Sequence, residues 1–132
     1  MGQPSISAAK YMATAYRPDC EYLEGVLLKR NVGEKDHSRV QALVIGELLR
    51  QEAQSGTVVF PEQRVQVRPD RFRVPDVCVM VAPVPDQQIF LESPLLCIDS
   101  ATRDGLKPAG GGILKTQNPE IVVDAAAIFA SL

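Results

Sequence analysis

Asp76 opens an apolar, β-branched run, Arg73-Val74-Pro75-Asp76-Val77-Cys78-Val79-Met80-Val81. The run reads as a buried strand. A carboxylate at the head of a buried strand is costly unless it meets a cation or accepts hydrogen bonds. The pattern therefore raises a metal site. A second apolar run, Pro94-Leu95-Leu96-Cys97-Ile98-Asp99, ends in a carboxylate. Side by side, the two strands would bring Asp76 and Asp99 together. Two acidic groups that hold Mg²⁺ against a phosphate, with a base or lysine to position water, are the parts of metal-dependent phosphodiester cleavage. An N-cap or turn role is the plain alternative for Asp76.

His37 is the single histidine. It precedes Val40 by three residues, so it shares the inward stripe of a helix, at the N-terminal end. It is either a catalytic group or a satisfied capping or core histidine. Glu24 stands before Gly25 and is either a site carboxylate or a turn residue. The Gly110-Gly111-Gly112 run lacks the Gly-Lys-Ser/Thr ending of a phosphate loop.

The elements that would position these groups follow from periodicity and turn chemistry. Ser5 to Ala15 suits a short helix capped by Ser5 or Ser7. Glu21 to Lys29 reads as a tight hairpin turning at Glu24-Gly25. The strongest helix is Asp36 to Gln54, where Val40, Leu43, Val44 and Leu48 recur at helical steps and Ser55-Gly56 supplies the stop. Thr57 to Phe60 and Gln63 to Arg68 read as strands, with a turn at Pro69-Asp70 before the Asp76 strand. Pro83 to Ser93 is a loop. Ile121-Val122-Val123 is a short strand candidate, and Ala125 to Leu132 is a terminal helix or a frayed end.

With 132 residues, one domain is expected. Net charge is −2, so no global basic field advertises nucleic acid. Arg64, Arg68, Arg71 and Arg73 form a local cluster, read as a solvated hairpin face or as phosphate contacts. The three cysteines, Cys20, Cys78 and Cys97, form no C-x-x-C pair, which argues against zinc. Cys78 and Cys97 lie inside apolar strands and are expected to be small core residues of a reduced protein. No apolar run is long enough to span a membrane and no signal-peptide layout opens the chain, so a cytoplasmic location is the expectation.

The pieces Tyr22-Leu23-Glu24-Gly25-Val26, His37 with Val40, Leu43 and Leu48, Arg73-Val74-Pro75-Asp76-Val77 and Pro94-Leu95-Leu96-Cys97-Ile98 occur in one order. In that order and spacing, from about Ala8 to Ile98, the chain resembles the Uma-type restriction-endonuclease family of the PD-(D/E)-x-K nuclease superfamily. The resemblance implies an α/β fold, a restriction-endonuclease-like mixed sheet flanked by helices. It also implies a Mg²⁺-dependent DNA nuclease site with Asp76 as metal ligand. His37 and Glu24 match family positions near that site.

The departure is on the C-terminal side. In the family, the strand matching Pro94–Ile98 continues into a metal-binding Glu, then a helix carrying a Lys. Here Ile98 runs into Asp99-Ser100-Ala101-Thr102-Arg103, which resembles a later strand end of the family. Residues 112–121 and Ala127-Ile128-Phe129 resemble its extreme C-terminus. Internal deletion is the economical reading: a single truncated domain over 1–132, with a family-like core at 1–98 and a fused hairpin and tail at 99–132. The rival reading makes Asp99 replace the Glu, with Lys107 or Lys115 replacing the Lys. The Gly-rich tract does not suit the helix that should present that Lys. The expected function is a Mg²⁺-dependent DNA endonuclease impaired in this copy. The alternative is a non-catalytic DNA-binding or interaction remnant. An uncovered sheet face would favour a homodimer.

Overall fold

A computed structural model describes residues 5–30, 34–99 and 113–132. Helix α1 (Ala8–Met12) starts at Ser7, whose hydroxyl accepts the Lys10 N–H at 3.1 Å. Strands β1 (Cys20–Leu23) and β2 (Val26–Lys29) pair antiparallel. Their tight turn needs two left-handed residues, and Glu24 and Gly25 take φ of 46° and 91°. Helix α2 (Lys35–Ser55) buries Val40, Val44 and Leu48 along one stripe. It ends at Gly56, in the left-handed conformation at φ 69°. Then come β3 (Thr57–Pro61), β4 (Val65–Arg68), β5 (Arg71–Arg73), β6 (Val77–Val81), β7 (Leu96–Ile98), β8 (Ile113–Lys115), β9 (Val122–Asp124) and α3 (Ala125–Ala130).

Among the described residues the strands form a four-stranded sheet β2-β1-β5-β4, a three-stranded sheet β3-β6-β7 and the β8-β9 hairpin. Each of these ladders is antiparallel. A parallel bridge joins Val65 to Phe90. Alternation along β6 sends its side chains to both faces of the sheet. Val77 and Val79 pack with Val40, Val44 and Leu48 of α2. Cys78 and Met80 pack with Val65 and Phe90. A third cluster of Tyr11, Tyr22, Phe72 and Ile89 joins α1 to the four-stranded sheet.

β6 is central, but two expectations about burial need correction. Val81 is 44% exposed, because the strand runs out past its cover. Strand β7 is the edge of its sheet among the described residues, and Cys97 is exposed rather than a core residue. An apolar run reads as two-sided burial, yet burial also needs an element on the outer face and a further strand beside it. Neither covers Cys97 among the described residues.

The C-terminal hairpin belongs to the core. Ile121, Val123 and Ile128 join the α2 cluster. Gln51 of α2 clamps β9, donating to the Val122 carbonyl at 2.7 Å and accepting its N–H at 2.9 Å. The terminal helix forms rather than fraying at its start, capped by Asp124, which accepts the Ala127 N–H at 3.0 Å.

Candidate functional site

Asp76 is 2% exposed and lies just before β6. Its carboxylate takes a cation, as its burial demands: Arg30 Nη2 donates to Oδ1. His37 Nε2 lies 3.5 Å from the same oxygen. The first turn of α2 carries His37 there, and Arg30 follows the end of β2. The Asp76 main chain is held as firmly. Its carbonyl accepts from Gln41 Nε2 at 2.9 Å and from the Glu62 N–H at 3.1 Å. Its own N–H donates to Asp99 Oδ1 at 3.3 Å. Glu62 takes φ 48°, a left-handed conformation that is costly for a residue with a side chain. Its carboxylate sits 4.0 Å from Arg30 Nη1.

Asp99, at the end of β7, thus meets the Asp76 backbone rather than a shared cation. Its other oxygen lies 3.5 Å from Arg73 Nη2. Arg73 Nε also lies 3.8 Å from Glu21, which accepts the Val74 N–H at 2.9 Å. His37, Asp76 and Asp99 are therefore brought together.

Glu24 and Lys115 find partners elsewhere. Glu24 is exposed in its turn, 4.0 Å from Arg68. Lys115 is exposed on β8, 3.5 Å from Glu120. Both sit where short-range chemistry puts them, one in a hairpin turn and one across a hairpin. Lys107 lies outside the described residues.

Arg30, Gln41, Glu62 and Glu21 were not legible as site residues. An arginine after a strand carries no signal of a partner 46 positions away. Only the Pro61-Glu62 pair marks a turn at the end of an apolar strand.

The arginine cluster divides. Arg64 is structural: its guanidinium lies 5.0 Å over the Tyr11 ring and donates to the Tyr11 and Thr14 carbonyls at 3.0 Å each. Arg68 and Arg73 face the acidic groups Glu24, Asp70, Glu21 and Asp99. These pairings favour the solvated-face reading over phosphate contact.

Cys78 and Cys97 are register partners across β6 and β7. The neighbouring Cys97 thiol raises the Cys78 pKa, with burial adding to the rise. The Cys78 thiol in turn lowers the Cys97 pKa.

The Uma2 family, "Putative restriction endonuclease", matches residues 10–99. The match covers more than half of the chain, which therefore belongs to this family. No curated protein matches the chain. The crystal structure of a putative nuclease belonging to DUF820, from Anabaena variabilis, is similar at a TM-score of 0.63 and 23% identity. The similarity covers 77% of this chain and 62% of that one, so the chain spans less than two thirds of that protein. The shared fold is α/β and restriction-endonuclease-like, and helices flank its sheets. Among the described residues, no helix is long and apolar enough to cross a membrane.

Proposed function

We propose that the chain is a DNA endonuclease module whose Mg²⁺ site is impaired. The family match supports phosphodiester chemistry on DNA, and the sequence resemblance makes Asp76 the residue that would hold the metal. One observation carries the impairment: the Asp76 carboxylate already holds a cation, the Arg30 guanidinium. Mg²⁺ keeps several waters but needs carboxylate anchors to sit against a phosphate. The second carboxylate, Asp99, is turned to the Asp76 N–H and to Arg73. Among the described residues no group of three or more His, Cys, Asp or Glu side chains stands ready for a metal. Lys115, the lysine offered by the rival reading, is paired with Glu120. This donor set does not fit a Mg²⁺ ion held for hydrolysis.

The same ion pair favours the second reading, a non-catalytic DNA-binding or interaction module, because Arg30 satisfies Asp76 without metal. Calorimetric titration with Mg²⁺ and Mn²⁺, run beside plasmid nicking, tests both. Losing a charge-stabilising group slows a reaction by about a hundredfold or more. Weak metal binding is expected, with no nicking above the Asp76→Ala control. Robust nicking abolished by Asp76→Ala would overturn the impairment. Salt-dependent DNA binding without metal would select the module over the enzyme.

A further inference from the structure

Cys78 and Cys97 stand directly opposite each other in the β6-β7 ladder. Opposed residues in an antiparallel pair have Cα atoms about 4.5 or about 5.5 Å apart and side chains on the same face. Both spacings fall within the range a disulfide spans, about 4.4 to 6.8 Å. The two thiols are free, and they differ sharply in access: Cys78 is buried and Cys97 exposed. The ladder sets the two side chains side by side, one strand apart.

We propose that Cys78 and Cys97 form a thiol–disulfide site, oxidised reversibly by small-molecule disulfides. Exposed Cys97 is the entry thiol, and buried Cys78 is the resolving thiol. The Cys97 thiolate attacks one sulfur of the reagent disulfide. The reagent S–S bond breaks, a mixed disulfide forms, and one thiolate leaves and takes a proton from water. Cys78 gives its proton to water, and its sulfur attacks Cys97 Sγ. The mixed bond breaks, the Cys78–Cys97 bond forms, and the second reagent thiol leaves. The protein dithiol loses two electrons and two protons, and the reagent disulfide becomes two thiols.

The position gives the bond a structural consequence. Cys78 lies two residues after Asp76, and Cys97 two residues before Asp99. Closing the bridge fastens edge strand β7 to central strand β6. It thereby holds Asp99 at the Asp76 N–H, where the two groups are 3.3 Å apart. The inference stands apart from the nuclease reading, because it uses no metal and no cleavage.

The test incubates the full native chain in oxidised and reduced glutathione over a range of ratios. Acid quenching, alkylation and non-reducing peptide mapping then locate each thiol. Cys20, 4% exposed in another part of the fold, is the internal control. The expected product is monomeric, links Cys78 to Cys97 and leaves Cys20 alkylatable after unfolding. Reduced glutathione should reopen the bridge. Hydrogen exchange over β7 should slow in the oxidised form. Cys78→Ala should instead accumulate glutathione on Cys97, and Cys97→Ala should leave Cys78 reduced. Three results would overturn the site: both thiols free at the most oxidising ratio, a stable glutathione adduct on Cys97 of the unaltered chain, or bridging that joins two chains or uses Cys20.

Discussion

Arg30 donates from Nη2 to Oδ1 of Asp76, and the two side chains are only 19% and 3% exposed. The protein thus supplies its own cation to the carboxylate that its family resemblance would give to a metal. Breaking a buried pair by removing one partner costs about 3 to 5 kcal/mol, because the other charge is left buried. Arg30→Met should lose about 3 kcal/mol in urea unfolding, with His37 retaining part of the compensation. Millimolar Mg²⁺ should then recover stability in Arg30→Met and leave the unaltered chain unchanged. An Arg30→Met chain as stable as its parent, or indifferent to Mg²⁺, would show that the guanidinium does not stand in for a metal.

Gln51 makes to β9 the pair of hydrogen bonds that a neighbouring strand would make. Its amide both donates to and accepts from Val122, and so fixes β9 on α2. Each such bond is worth about 1 kcal/mol net, and a buried group left unmade costs more. Gln51→Ala should cost about 2 kcal/mol and speed exchange at the Val122 amide. Gln51→Glu should keep the Val122 amide protected, because its carboxylate still accepts that N–H, but should not restore the stability, because it cannot donate to the Val122 carbonyl. Unchanged Val122 exchange in Gln51→Ala would sink this account.

Local physics was the legible part of the sequence. The Glu24-Gly25 turn, the α2 stripe and the Gly56 stop each depend on residues within a few positions, and each lies where expected. The central place of β6 followed from its apolar run. The inward direction of His37 followed from its place on the stripe, and the structure sets it 3.5 Å from Asp76, whereas Glu24, expected beside them, pairs with Arg68. Hidden were the facts that depend on what is far away in sequence. Arg30 meets Asp76 from 46 positions away in sequence, and nothing in its neighbours announces that. Cys97 looked internal because Leu-Leu-Cys-Ile is apolar, but no strand flanks β7 on its outer side among the described residues. β8 went unread because three residues beside a glycine run hold too little periodicity.

Tyr11 is fully buried and donates its hydroxyl to the Cys20 carbonyl at 2.6 Å. Burial raises its pKa above the ordinary value, against the lowering pull of Arg64. The unfolded chain therefore ionises first, near the usual tyrosine pKa of about 10. Stability should be complete below that pH and fall as pH rises towards the higher folded pKa. Tyr11→Phe should cost about 1 to 3 kcal/mol at neutral pH by orphaning the Cys20 carbonyl. It should also flatten the alkaline decline. Guanidinium unfolding at neutral and alkaline pH checks both, and an equally steep decline in Tyr11→Phe would assign the loss to another group.

Asp99 and Asp76 look alike in sequence, each a carboxylate at one end of an apolar strand, yet their surroundings separate them. Asp76 is 3% exposed at its side chain, and Asp99 is 51% exposed. An exposed ion pair such as Asp99 with Arg73 contributes about 0.2 to 1 kcal/mol, because water competes for both charges. Asp99→Ala should therefore cost under about 1 kcal/mol, whereas Asp76→Ala should cost about 3 by stranding Arg30. The Asp76 N–H loses its acceptor in Asp99→Ala, so exchange at that amide should accelerate even though global stability barely moves. Asp99→Asn keeps a carbonyl oxygen for that N–H and should preserve the slow exchange. Equal destabilisation by Asp99→Ala and Asp76→Ala in urea would mean that the two carboxylates act as one unit. The separate roles assigned to them would then be wrong.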